Sequence, residues 1–170
     1  MAGVQVRCWQ ETYRGLMPDS TLDDPGLCAA RERFWIAVLT DERYARNRVA
    51  VAERDTHMIG VAMSGPPMDA GTVWAKQLYV LYVRAADHGT GAGSALLGAV
   101  LDGGESAVLW VADPNPRAQA FYRKHDFRAD GENRIEGGIP VIRMVRDASP
   151  SPVVRPARRV AADRATRSDP

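Results

Sequence analysis

A glycine-rich segment lies between a strand-like and a helix-like pattern in the middle of the chain. In YVLYVRAADHGTGAGSALLGAVL, Tyr79 to Leu101, alternating apolar residues are followed by Gly89, Gly91 and Gly93, and then by Ala and Leu at helical spacing. The first N–H groups of a helix are unpaired and carry about half a positive charge, so a glycine-rich loop leading into them can close around an anionic phosphate. The segment therefore predicts a phosphate-binding site at the start of a helix.

Two common nucleotide-binding patterns do not fit this segment. A dinucleotide-binding fingerprint that starts at Gly89 needs its third glycine at position 94, where the chain has Ser94, and no β-α-β unit surrounds the loop. A Walker loop needs a Gly-Lys-Ser/Thr ending, which does not follow. Taken alone, the loop is also compatible with a tight turn that binds nothing.

A second segment places hydrogen-bonding side chains around a predicted helix. LWVADPNPRAQAFYRKHDF, Leu109 to Phe127, has Asn115 after a buried strand and Tyr122 within the following helix. Together with LYVRAADHGTGAG and the earlier VRCWQETYRGLMPD, it closely resembles the GNAT superfamily of N-acetyltransferases. The resemblance covers most of residues 4 to 146. It implies an enzyme that transfers the acetyl group of acetyl-CoA to a primary amine of a small molecule or a protein.

The resemblance also implies a role for each part of these segments. The strand before the loop would open at a bulge, where Leu81, Tyr82 and Val83 offer backbone groups to the pantetheine of acetyl-CoA. Asn115 would contact the cofactor, and Tyr122 would lie near the sulfur and protonate the departing thiolate. The implied pyrophosphate site consists of His88, Gly89, Thr90, Gly91, Ala92, Gly93 and Ser94.

The chemistry needs a group that takes a proton from the amine. An alkylammonium with a pKa of about 10.4 is almost fully charged at neutral pH, so a base or a water path must deprotonate it before it can attack. Many relatives carry Glu just before the strand, where this chain has Gln77. Three carboxylates remain as candidates, although each is also compatible with a solvated or structural role. They are Glu11 in the first helix, Glu53 on an early strand, and Asp113, which would act through water.

Four aromatic residues are candidates for lining the pocket of the amine acceptor, although aromatic residues at such spacings also serve as core. They are Trp9, Tyr13, Trp74 and Tyr79.

The sequence departs from the family pattern at three further points. His88 stands where Gln or Arg is usual, which predicts weaker phosphate contact, and Asp126 stands where relatives have Gly, which predicts a small stability cost. Only eight residues precede Trp9, so the family's first strand is expected to be absent. The open sheet edge would then be covered by a helix, a tail or a second subunit in a homodimer. These departures keep a second hypothesis open, a degenerate CoA-binding or interaction module without turnover.

The order of the predicted elements is typical of an α/β (α+β) fold with a mixed, largely antiparallel sheet flanked by helices. Val4 to Arg14 and Ala29 to Leu39 have helical spacing, and a meander of three strands follows, at 48–55, 57–65 and 73–83. The remaining predicted elements are a helix at 94–101, a strand at 107–112, a helix at 116–125 and a last strand at 139–146.

Composition limits the class of protein. The 170 residues, 45% of them hydrophobic, suffice for one soluble domain, placed at 1–146, with a Pro- and Arg-rich tail at 147–170 that is predicted to be disordered. No 18-residue apolar run and no signal peptide occur, which predicts a cytoplasmic protein that does not enter membranes. Cys8 and Cys28 are predicted to be reduced, and no metal site is expected. Basic and acidic residues balance outside the tail, so no nucleic-acid partner is expected.

Overall fold

The computed structural model describes residues 1–69 and 71–148. The predicted tail from residue 149 onward lies outside the described residues. The helices are α1 (Ala2–Tyr13), α2 (Asp19–Leu22), α3 (Leu27–Thr40), α4 (Ala92–Val100) and α5 (Pro116–Lys124). The strands are β1 (Arg48–Arg54), β2 (His57–Gly65), β3 (Lys76–Val83), β4 (Ala107–Ala112), β5 (Arg128–Glu136) and β6 (Ile139–Arg146). Short 3-10 turns occupy Glu42–Tyr44 and Ala85–Asp87.

Six strands form one sheet in the order β1-β2-β3-β4-β6-β5. The strands β1, β2 and β3 form an antiparallel meander, and β4, β6 and β5 pair antiparallel on the other side. The parallel pair β3 and β4 joins these halves. The predicted mixed, largely antiparallel sheet is therefore confirmed.

Each face of the sheet carries its own apolar core, because side chains of a strand point alternately to the two faces. Val61 and Met63 of β2 pack with Trp35 and other residues of α1 and α3 on one face. Ala62, between them, packs on the opposite face with a core that includes residues of α4 and Tyr122 of α5. The two helical layers thus lie on opposite sides of the sheet, and a gap between strands would connect them.

The sequence analysis missed β5. Arg128–Glu136 is almost wholly exposed and polar, with a glycine at position 131, so it lacks the alternation that predicts a strand. Its pairing with β6 imposes the extended conformation, with an irregularity between Ala129 and Asn133. β3 is also shorter than predicted, since it begins at Lys76.

The meander ends at the edge of the sheet. Within the described residues the chain starts with α1, and β1 pairs with β2 alone. None of the described helices is both long and apolar enough to cross a bilayer.

Candidate functional site

The strands β3 and β4 separate after a short parallel contact. They pair at Lys76, Gln77 and Leu78 of β3, and beyond Leu78 the edge of β3 that faces β4 has no partner strand among the described residues. On its other edge β3 stays paired with β2 up to Val83, with a register shift that leaves Tyr79 as an extra residue between Leu78 and Val80. Such a bulge bends a strand, and here it lies where the gap opens.

The gap forms a cavity of about 670 Å³ that reaches both helical layers. Its walls come from β3, β4, the loop before α4, and the helices α1 and α5. Every backbone and side-chain position that the sequence assigned to cofactor binding lies in this wall except Thr90 and Ala92. The two exceptions sit between lining glycines of the same loop. The sequence-predicted residues are therefore brought together in space, although their chain positions span more than 40 residues.

The glycine loop leads directly into α4. Gly91 caps the helix with φ +90°, and Gly89 has φ +80°. No atom lies within 4 Å of a Cβ built at either position, so these residues are glycines for their left-handed conformation rather than for lack of space. Gly91, Gly93 and Ser94 line the cavity, so the start of α4, whose first N–H groups have no partner within the helix, lies at the cavity wall, which suits an anion.

Side chains of the loop hold it in shape. Nε2 of His88 lies 2.9 Å from the carbonyl oxygen of Val83, and the hydroxyl of Thr90 donates to the carbonyl of Asp87 at 2.8 Å. Asp87 is buried and pairs with Arg54 of β1. The loop is therefore tied to both the end of β3 and the edge of the sheet.

Tyr122 lies in the cavity wall on the α5 side. It is buried, and its ring packs edge-on against Phe121 and Phe127. Burial raises the pKa of Tyr122, so its hydroxyl keeps its proton at neutral pH. Asn115 begins the same helix, where its side-chain oxygen accepts the N–H of Ala118 at 3.1 Å. Because this cap uses only Oδ1, the amide group of Asn115 is available to a ligand in the cavity.

Aromatic side chains line the α1 side of the gap. The hydroxyls of Tyr13 and Tyr82 lie 3.3 Å apart, and burial raises the pKa of both. Tyr79 donates to the carbonyl oxygen of Pro66, and the ring of Trp110 lies under the guanidinium of Arg134 at 3.9 Å. Tyr13 and Tyr79 thus line the cavity, whereas Trp9 and Trp74 are outside its wall.

The three candidate bases occupy different places. Glu11 lines the cavity, where Oε2 accepts the N–H of Ala85 at 2.9 Å and Oε1 accepts Nε of Arg7 at 3.2 Å. Glu53 borders a separate groove of about 450 Å³ between β1 and α4. Asp113 accepts the amide of Gln119 at 3.0 Å and lies outside the cavity wall. Neither Glu53 nor Asp113 borders the gap, so this placement lends no support to their catalytic roles, which stay predictions.

The side chain of Gln77 stabilises the backbone of a neighbouring segment. Its side chain is buried, and Oε1 accepts the N–H of Met68 at 2.9 Å. With the bond from Tyr79 to Pro66, it fixes the segment that follows β2. Gln77 and Tyr79 of β3 therefore hold the segment after β2 in place.

Several lining residues were missed by the sequence analysis. Arg117 and Lys124 of α5 line the cavity with Phe121, and Trp110 of β4 lines its other side. The seven-residue spacing of Arg117 and Lys124 places them on one face of a helix, which is the signal that could have revealed them.

Comparison with known proteins identifies the family. Residues 24–148 match the model of the acetyltransferase (GNAT) domain. The chain is 29% identical over 135 residues to a probable N-acetyltransferase of Mycobacterium tuberculosis, covering 77% of this chain and 74% of that protein. It is 36% identical over 122 residues to an uncharacterized N-acetyltransferase of the same organism, covering 68% and 70%.

Solved structures share the fold. The PaiA N-acetyltransferase of Thermoplasma acidophilum, crystallised with coenzyme A, matches with a TM-score of 0.62 at 16% identity over 87% of this chain and 90% of that one. A Corynebacterium glutamicum structure, of histone acetyltransferase HPA2 and related acetyltransferases, matches with a TM-score of 0.65 at 22% identity over 89% and 91%.

The chain belongs to the GNAT family of acetyltransferases. It is an N-acetyltransferase that uses acetyl-CoA as its co-substrate, which confirms the family, the activity and the cofactor predicted from the sequence.

Proposed function

We propose that acetyl-CoA lies in the gap between β3 and β4 and that a primary amine enters from the α1 side and attacks the thioester directly. The observation that carries this proposal is the loss of pairing between β3 and β4 after Leu78. It opens one cavity to both helical layers, so two substrates can meet from opposite faces of the sheet. Holding both reactants in place lowers the barrier by several kcal/mol, of the order of 7 or more in well-aligned cases.

The residues of the cavity fit acetyl-CoA. The unpaired edge of β3 at Leu81, Tyr82 and Val83 offers backbone groups to the amides of pantetheine, as a neighbouring strand would. The loop from His88 to Ser94 and the first turn of α4 suit the diphosphate, and the charges of Arg117 and Lys124 complement it. Acetyl-CoA supplies the activated acyl group, and a backbone N–H of β3 is placed to polarise its carbonyl.

Glu11 is the proposed base. Of the three carboxylates considered it alone lines the cavity, and it belongs to the helix that forms the acceptor wall. Its hydrogen bond with Ala85 fixes the carboxylate beside the end of β3. A carboxylate accepts several hydrogen bonds at once, so Glu11 can hold the amine while keeping that bond.

Tyr122 is the proposed donor to the departing sulfur. Because burial raises its pKa, complete proton transfer to a thiolate of pKa about 8.5 is uphill. A hydrogen bond from the hydroxyl to the sulfur stabilises the developing charge without that transfer. Tyr122 therefore acts by donating a hydrogen bond to the sulfur. The thiolate is protonated only after it has left the tetrahedral intermediate.

The acceptor is a primary amine of a small molecule or a peptide. The rings of Tyr13, Tyr79, Tyr82 and Trp110 line its side of the cavity, and aromatic faces attract an ammonium group before it loses its proton.

We place the reaction in the cytoplasm, since Cys8 and Cys28 are free thiols, as is typical of a reducing compartment. Among residues 1–69 and 71–148 the outer edge of β1 has no partner strand, which supports a homodimer; light scattering on the purified protein tests this.

A panel of amines and peptides tests the activity, with release of the CoA thiol as the readout. We expect thiol release that depends on both acetyl-CoA and one class of amine. Binding of acetyl-CoA with no thiol release from any acceptor would favour a module without turnover.

Matched variants test the base. Glu11→Gln keeps an oxygen for the N–H of Ala85 but cannot take a proton, so kcat/KM should fall about 100-fold. Glu53→Gln and Asp113→Asn lie outside the cavity and should stay within about threefold of the wild type. Equal losses in all three variants would contradict the assignment of Glu11.

A further inference from the structure

A titratable hydrogen bond joins the two helices beside the glycine loop. Ser94 lies in the first turn of α4 and lines the cavity, and its hydroxyl oxygen is 2.9 Å from Nε2 of His125, directly after α5. The imidazole also packs against the ring of Phe121, 4.6 Å away between centroids, which lines the cavity too. His125 therefore touches two residues of the cofactor wall without lining the cavity itself.

The protonation state and the tautomer of His125 together decide where the hydroxyl hydrogen of Ser94 points. An imidazolium has two N–H donors and no acceptor, so Nε2 must then donate to Oγ of Ser94. The hydrogen of Ser94 is free in that state to bond a phosphate oxygen in the cavity. When Nε2 carries no proton, Ser94 donates to it instead and presents only lone pairs to the phosphate.

We propose that His125 positions the Ser94 hydroxyl for the diphosphate of CoA, and that the cofactor binds more tightly when His125 is protonated. This inference rests on the proposed placement of acetyl-CoA in the gap. Its consequence is a proton taken up by His125 when the cofactor binds near neutral pH.

The surroundings disfavour the charged form of His125 in the free protein. Partial burial, followed by the charges of Lys124 and Arg146, lowers the pKa of His125, and Asp126 acts weakly in the opposite direction. From α4 the group that faces the ring is the uncharged Ser94. A bound diphosphate brings negative charge to this site, which favours the imidazolium. Binding and protonation therefore strengthen each other, as linkage requires.

Calorimetric titration with dephospho-CoA tests the proposal. This compound has the diphosphate but lacks the 3′-phosphate, whose own ionisation near pH 6 would confuse the result. We expect the wild type to bind about threefold to tenfold more tightly at pH 5.5 than at pH 8.0. Titrations in two buffers of different ionisation enthalpy should show proton uptake at pH 7.

The chain has three histidines, so variants can assign the effect completely. His125→Gln keeps an amide donor for Ser94 but does not titrate, and it should abolish both the pH dependence and the proton uptake. Ser94→Ala should weaken binding at pH 5.5 and reduce the dependence. His57→Gln, at the start of β2 and outside the cavity wall, should behave as the wild type.

Three outcomes would overturn the inference. They are a wild-type affinity that does not change with pH, a dependence that persists in His125→Gln, and one that disappears in His88→Gln while His125→Gln retains it. If dephospho-CoA and acetyl-CoA fail to bind the wild type at every pH, the proposed cofactor site is itself wrong, and this inference falls with it.

Discussion

The hydroxyl oxygens of Tyr13 and Tyr82 lie 3.3 Å apart, where α1 crosses the open end of β3. Tyr82 offers its backbone to the gap, and its side chain reaches the helix that carries Glu11. The pair thus couples the position of α1 to the strand that we propose receives acetyl-CoA. Burial raises the pKa of both hydroxyls, so the bond is made between neutral groups at any physiological pH.

The tyrosine pair should show energetic coupling. Tyr13→Phe and Tyr82→Phe each leave one buried hydroxyl without its partner, and each should lower the free energy of unfolding by about 1 kcal/mol. The double variant should lose less than the sum, with a coupling of about 0.5–1.5 kcal/mol. Urea unfolding of the four proteins measures this, and strict additivity would show that the bond contributes nothing.

Tyr122→Phe should separate binding from turnover. The ring keeps its packing against Phe121 and Phe127, so the affinity for acetyl-CoA should change little. Loss of a hydrogen bond to the leaving sulfur should lower kcat about tenfold to a hundredfold. A collapse of affinity with kcat preserved would make the hydroxyl a binding group and contradict the proposed role.

The effect of a substitution at Gly91 should depend on how readily the new residue adopts a positive φ. Gly91 has φ +90°, and a Cβ added there meets no atom within 4 Å. Gly91→Asn should therefore be tolerated better than Gly91→Val, because Asn adopts the left-handed region more readily than a β-branched residue. The stabilisation that acetyl-CoA gives, about 2.7 kcal/mol at 100 times its Kd, should be smallest in Gly91→Val. Equal thermal shifts in both variants would show that the loop conformation does not matter for binding.

Removal of residues 149–170 should leave the acetyltransferase domain intact. The ion pair between Arg128 and Asp147 at 2.7 Å lies before the cut and is exposed on both sides, so it contributes little. The truncated protein should keep its melting temperature within about 2 °C, which corresponds to less than 1 kcal/mol for a domain of this size. A drop of 10 °C would show that the tail packs against the domain.

Residues whose type is set by the local backbone conformation could be predicted from the sequence. Gly89 and Gly91 are needed for positive φ, and Tyr122 and Asn115 sit at fixed places in one helix, so their pattern is visible in the sequence. Asp126, two residues after the end of α5, has φ +66°, a left-handed conformation that Gly adopts more readily.

The sequence pattern could not predict which residues, distant along the chain, come together in the folded protein. Glu11, Glu53 and Asp113 look equivalent as isolated carboxylates, and only the assembled sheet separates Glu11 from the other two. β5 is extended because β6 pairs with it, while its own residues are polar. The bond between Ser94 and His125 joins residues 31 positions apart, and no local signal marks it.

Hydrogen–deuterium exchange with and without acetyl-CoA tests the central claim most directly. The account predicts that saturating acetyl-CoA slows exchange in two segments, the end of β3 at Val80 to Val83 and the loop at Gly89 to Ser94, because its amides and diphosphate bond to their free N–H groups. The helix α3, none of whose residues lines the cavity, should serve as an internal reference that does not change. Binding of acetyl-CoA with unchanged exchange in both segments would contradict the placement of the cofactor between β3 and β4.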